Sequence, residues 1–121
     1  MATNRRKPTM VVDFDGIIYD YDQHGWNGID KIEGLPLEDA KESLDRLSKA
    51  YNIVVYSSRC QEPRGRKAVE EYLEQYQIPY KEVVLSPIPH YVFLSPKAKR
   101  FPRRWTKDLI QELEYMAPKE G

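Results

Sequence analysis

The chain has 121 residues and a mass of 14.3 kDa, room for one domain. Its 19 Lys+Arg balance 19 Asp+Glu, which excludes an overall electrostatic clamp on nucleic acid and leaves only local basic patches. Hydrophobic residues make up 40% of the chain, too many for a disordered tail, and the single Cys60 excludes an intrachain disulfide or a multi-cysteine zinc site. No apolar run approaches the roughly 18 residues of a membrane span, and no signal-peptide core follows Met1–Pro8. A soluble, cytoplasmic domain is the expectation, with a flexible N-terminus over 1–8, one domain over 9–117 and a tail over 118–121.

In chain order, Thr9–Phe14 is a short, β-branched apolar run closed by Asp15-Gly16, and reads as a strand buried on both faces. Residues 16–36 are rich in Gly, Asp, Asn and Tyr; they read as a long loop, with a small hairpin around Ile17–Tyr21. Leu37, Ala40, Leu44, Leu47 and Tyr51 recur at helical spacing. Asn52–Ser57 is a second buried strand. Arg66–Gln77 puts Val69, Tyr72, Leu73 and Tyr76 on one helical face, ended by Ile78-Pro79. Glu82–Leu85 and Tyr91–Leu94 are two further strands, and a last helix runs over Thr106–Met116.

The order β-α-β-α-β-β-α predicts an α/β fold, a small doubly wound, Rossmann-like parallel sheet with flanking helices. Ligands of such sheets bind beyond the carboxyl ends of the strands, at the switch point. The positions after Phe14, Tyr56 and Leu94 therefore carry the interest.

Asp13 and Asp15 stand two apart at the first of these, so their side chains leave the extended chain on one side while Phe14 points into the core. Gly16 permits a sharp turn. Two carboxylates so close repel unless a cation lies between them or one takes a proton. Mg²⁺, which takes few carboxylates plus waters and phosphate oxygens, suits such a pair. One carboxylate could attack a phosphoryl group while the other moves protons. The plainer alternative is a pair of solvated turn acids.

Val11-Val-Asp-Phe-Asp-Gly-Ile17 resembles the first signature of the haloacid dehalogenase superfamily, whose members are mostly phosphatases, and the element order over about residues 9–95 is similar to that fold. The resemblance implies that Asp13 is the nucleophile, that Asp15 is the general acid/base, and that Mg²⁺ binds at Asp13 and Asp15. Val54–Arg59 falls where the second motif belongs, so Ser57 would hydrogen-bond the phosphoryl group, with Ser58 and Arg59 on the same rim. Ser57 could equally cap the turn that follows. Only a flap and one helix fit between Asp15 and Ser57, so the resemblance is to a capless member with an open site. Two of the family's four signatures are altered. Ser95-Pro96 stands where relatives carry an acid pair before Lys97-Ala98, and Ile88 stands near the place of the catalytic lysine. Lys97, Lys81 or Lys99 would have to replace that amine at the phosphate. A serine offers Mg²⁺ only a neutral oxygen, so the metal site should be weakened.

Lys97–Lys107 holds six basic residues interleaved with Phe101 and Trp105. Lys99, Arg100, Arg103, Arg104 and Trp105 are candidate contacts for a nucleic acid or substrate, through phosphate neutralisation and base stacking. The alternative is a solvated loop whose two aromatic residues anchor the last helix. His24 and His90 have no second ligand at metal spacing, and Cys60 has no evident partner.

The expected function is Mg²⁺-dependent phosphomonoester hydrolysis, on a phosphorylated small molecule, nucleotide or nucleic-acid end. The rival is a catalytically weakened binding protein that uses Lys97–Lys107 for a nucleotide, nucleic acid or protein. Nine tyrosines, several on helix faces, leave room for a dimer.

Overall fold

A computed structural model describes residues 7–96, 101–102 and 104–118. Four strands, β1 (Thr9–Asp13), β2 (Asn52–Tyr56), β3 (Glu82–Val84) and β4 (Val92–Leu94), form one all-parallel sheet in the order β3-β2-β1-β4. Helices α2 (Ala40–Leu47), α3 (Pro63–Gln75) and α4 (Lys107–Met116) flank it, and a four-residue helix α1 (Tyr21–His24) lies in the loop after β1. The α/β class and the parallel sheet are as the element order predicts.

The ladder follows from apolar periodicity. Met10 and Val12 of β1, Ile53 and Val55 of β2, Val83, Val92 and Leu94 point into one core with Leu44, Leu47, Val69, Leu73, Leu109 and Leu113 of the three helices. Burial of each such aliphatic side chain contributes on the order of 1.5–3 kcal/mol. Val11 and Val54 alternate with these residues and therefore lie on the opposite face, also buried. On that face Tyr56 and Phe93 meet edge to face across β1, with ring centroids 5.9 Å apart.

The strands and the last helix fall within a residue of the sequence reading, and the larger differences lie at the starts of α2 and α3 and in the turn after β1. α2 begins at Ala40 because Asp39 sits in the left-handed region at φ 68°, which no helix continues through. α3 begins at Pro63, a residue pre-set for a first helical turn, where its missing N–H costs nothing. Instead of a hairpin, residues 17–21 form a tight turn leading into α1, whose start is capped by the Asp20 carboxylate accepting from the Gln23 N–H at 3.2 Å. Thr106 caps α4 in the same way, accepting from the Leu109 N–H at 3.1 Å. At the N-terminal end Lys7 and Pro8 are tied to β2, the Pro8 carbonyl accepting from the Asn52 N–H at 2.9 Å. No described helix is long and apolar enough to cross a membrane.

The chain steps from β1 to β2 to β3 in one direction and then returns to the far side of β1 for β4. The switch point therefore lies between the carboxyl ends of β1 and β4. Asp13 ends β1 there, and Ser95-Pro96 follows β4 there.

Candidate functional site

The turn after β1 is tightly closed. The Phe14 carbonyl accepts from the N–H groups of Ile18 (3.0 Å) and Tyr19 (2.9 Å), and the Gly16 N–H donates to the Tyr19 carbonyl at 2.9 Å. Gly16 has φ +95°, and a Cβ there would stand 2.7 Å from Cγ of Pro96, so only glycine admits both the turn and the close approach of the β4 end. Asp13 and Asp15 are both partly buried on either side of the fully buried Phe14.

Asp15 is held by Arg59. The guanidinium Nη2 donates to Oδ1 at 3.0 Å and Nε donates to Oδ2 at 3.3 Å. Its Nη1 donates to the carbonyls of Gly28 (2.8 Å) and Ile29 (3.1 Å), in the loop after α1. The Arg59 side chain is completely buried, with Trp26 stacked on it at 4.4 Å and Tyr19 and Phe14 nearby at 5.7 and 5.9 Å. A buried cation needs both a counter-charge and hydrogen bonds to its remaining protons. Asp15 supplies the first and the flap carbonyls the second. Arg59 therefore clamps the flap down on the carboxyl end of β1.

Arg59 reaches this place because a single 3-10 turn, Ser58–Gln61, follows β2. Ser57 caps it, its hydroxyl oxygen accepting from the Arg59 N–H at 3.1 Å; Ser57 is itself buried, whereas Ser58 is exposed. The sequence placed Arg59 on a phosphate-facing rim. Among its described contacts the side chain faces Asp15 and the flap, and Ser57 performs the capping role weighed as its alternative.

The flap has two further ties. The Tyr19 hydroxyl donates to the Glu33 carbonyl at 2.8 Å, and the Tyr72 hydroxyl of α3 donates to the Gly34 carbonyl at 3.0 Å. The His24 ring stacks on Tyr19 and fills the space beside Gly34, where a Cβ would stand 2.3 Å from Nε2. Burial, first of all, and then Tyr76, Tyr19 and Asp20 raise the Tyr72 phenol well above its ordinary range, so it stays a donor. Sequence reading missed Tyr19 and Tyr72 as parts of this site. The flap's length was the signal, but which residues would tie it down depends on non-local packing.

At the other side of the crevice Ser95 is buried, Pro96 packs on Gly16, and Ile88 is half-buried. Lys97, Lys99, Arg100 and Arg103 lie outside the described residues. Arg104 is exposed. Trp105 is buried, its Nε1 donating to the Ile17 carbonyl at 3.0 Å, and Phe101 packs edge-on against it at 5.3 Å. Neither ring offers a face to a base; together they anchor the segment before α4 to the turn after β1, and this corrects the expectation that Trp105 contacts nucleic acid. Lys81 is exposed, and the His90 ring, exposed, packs on Phe93 at 5.6 Å. Burial raises the Cys60 thiol above its ordinary value, which makes it less reactive. A separate cleft of about 270 Å³ between α2 and α4 is lined by Asp39, Glu42, Arg46 and Lys107 among others.

Asp13 and the backbone carbonyl of Asp15 are the donors that could meet a divalent cation in the crevice. The described residues hold no group of three or more His, Cys, Asp or Glu placed to enclose a metal. A single carboxylate with one carbonyl, completed by water and phosphate oxygens, still fits Mg²⁺, which is rarely caged by protein alone.

No family model matches the sequence, and no curated protein matches it. Two solved chains share the fold. One belongs to the Pnkp1/Rnl/Hen1 complex, with TM-score 0.54 and 17% identity over 94% of this chain and 36% of that one. The other, from the Pnkp1/Rnl/Hen1 RNA repair complex, has TM-score 0.50 and 19% identity over 92% of this chain and 33% of that one. The chain thus spans about a third of the length of these neighbours, and at such identity what it shares with them is the α/β fold.

Proposed function

We propose that the chain is a phosphomonoester hydrolase of the haloacid dehalogenase type, acting through an aspartyl-phosphate. The observation that carries this reading is the position of Asp13 and Asp15: they leave the central strand at the switch point of a parallel sheet, where such folds bind ligands. An Asp13 oxygen attacks phosphorus in line, forming a P–O bond to the carboxylate as the bond to the leaving alkoxide breaks. Asp15 delivers a proton to that oxygen and later takes one from the water that attacks the acyl-phosphate, returning Asp13 as a carboxylate and releasing inorganic phosphate. Arg59 fixes the rotamer of Asp15 through both oxygens, and proton exchange uses the lone pairs that Arg59 leaves open. Ser57, whose oxygen accepts from the Arg59 N–H, keeps its own proton to donate, and Ser58 lies exposed beside it. Mg²⁺ at Asp13 and the Asp15 carbonyl would supply charge neutralisation for the phosphoryl group.

The substrate class proposed is a nucleotide or a phosphorylated nucleic-acid end, a reading supported by fold neighbours that belong to an RNA repair complex. Cytoplasmic location belongs to the same proposal. The test is release of phosphate from a panel of phosphate esters with Mg²⁺, beside Asp13→Asn. Turnover by the unmodified chain that disappears in the variant is expected; activity that survives in Asp13→Asn sinks the nucleophile assignment.

A second reading rests on the β4 end. Ser95-Pro96, the two residues described after β4, bring the crevice no carboxylate, so the chain could keep the fold for binding, through the basic stretch Lys97–Lys107. That reading expects no turnover with any divalent metal, and salt-dependent retention on single-stranded nucleic acid that Arg103→Ala/Arg104→Ala weakens.

A further inference from the structure

We infer that Trp26 is a stacking platform for the base of a nucleotide whose phosphate enters the crevice at Asp13; the inference rests on the phosphatase reading and names its substrate class. Trp26 is 48% exposed, although the neighbouring flap ring of Tyr19 is fully buried. The ring is not loose. It lies 4.4 Å from the Arg59 guanidinium, and that guanidinium is itself immobilised by Asp15 and by the carbonyls of Gly28 and Ile29. A ring fixed against a buried cation leaves its remaining surface open at little further entropic cost on binding.

One guanidinium separates the indole from the carboxylate of Asp15, and Asp15 stands two residues beyond Asp13 at the switch point, so the exposed ring and the acid pair belong to the same end of the sheet. The buried Trp105 and Phe101 cannot serve this purpose, and Trp26, followed by Tyr21 at 39%, is the most exposed aromatic side chain of the flap. Stacking tolerates any base, so the preference concerns base-bearing esters as a class and not one sequence.

The experiment compares the kcat/KM values of adenosine 5′-monophosphate, adenosine 3′-monophosphate and ribose 5-phosphate, and of short single strands with a 5′- or 3′-terminal phosphate. The readout is the ratio of each base-bearing ester to ribose 5-phosphate, so that any general loss in a variant cancels. The ratio is expected to fall about tenfold in Trp26→Ala and to be largely kept in Trp26→Phe. Mononucleotide and strand arms separate a free nucleotide from a nucleic-acid end as the source of the base. A ratio unchanged in Trp26→Ala overturns the inference. If no ester is turned over, the phosphatase reading fails and a binding arm decides the inference alone. Adenosine 5′-monophosphate should quench indole fluorescence where ribose 5-phosphate does not, and Trp26→Phe, which leaves Trp105 in place, should abolish the quench. No quench, or one that persists in Trp26→Phe, counts against the platform.

Discussion

Arg59 meets Asp15 with two nitrogens on two oxygens, at 3.0 and 3.3 Å, from a side chain that has no contact with solvent. The same guanidinium accounts for two flap carbonyls. Removing it leaves Asp15 without this partner and opens the flap. Arg59→Met should therefore cost about 3–5 kcal/mol in urea denaturation, as for other broken buried pairs. In a double-mutant cycle with Asp15→Asn, the two losses should be clearly less than additive. Additive losses would show that the pair is not energetically coupled.

Gly65 makes that arrangement possible. A Cβ there would stand 1.9 Å from the Arg59 carbonyl oxygen and 3.0 Å from Ile29 Cγ1, both of which are fixed. Gly65→Ala should destabilise by roughly 2–3 kcal/mol through overpacking. Gly25→Ala meets nothing within 4 Å, but φ +71° with ψ −171° is a region essentially confined to glycine, so backbone strain alone should cost about 1–3 kcal/mol. Thermal melts of both variants should fall below that of the unmodified chain.

How much of this could be read from the sequence depends on the range of the interactions. Asp13-Phe14-Asp15-Gly16 and the strand it ends follow from local pattern, and so do β2 and the Thr106 cap. Arg59 does not. Its residue type pointed to phosphate, but its direction is fixed by carbonyls about thirty residues upstream, at Gly28 and Ile29. Trp105 shows the same limit: a basic, aromatic stretch allows either a nucleic-acid contact or an anchor for the last helix, and the ring's donation to Ile17, 88 residues earlier, favours the anchor. The start of α3 at Pro63 was legible in principle, since proline favours the first turn of a helix.

Tyr51 gives the fold an alkaline limit. Its hydroxyl donates to the Leu113 carbonyl at 2.7 Å, and burial first, then Tyr91, pushes the phenol up to about 12. The folded state thus favours the neutral phenol over the unfolded value of about 10. Its stabilisation is complete below pH 10 and is lost as the pH rises from about 10 to about 12. Tyr51→Phe should lower stability near neutrality by about 1 kcal/mol yet flatten the decline across that window. Parallel urea-midpoint curves against pH would contradict this.

The β4 end offers a gain-of-function measurement. Ser95 stands at the switch point without a charge of its own. Under the phosphatase reading, Ser95→Asp adds a carboxylate to the magnesium site, and the Mg²⁺ concentration that half-saturates turnover should fall several-fold. An unchanged or higher requirement would place that residue outside the metal's reach.

If the Asp13 carboxylate carries the phosphoryl group, the acyl-phosphate can be trapped. Chain quenched during turnover and reduced with borohydride should contain homoserine at position 13, the product of reducing an aspartyl-phosphate, as read by peptide mass spectrometry. Homoserine is expected at Asp13 and nowhere else, with none in unreacted protein. Sustained phosphate release without that conversion, or conversion at Asp15 instead, would contradict it.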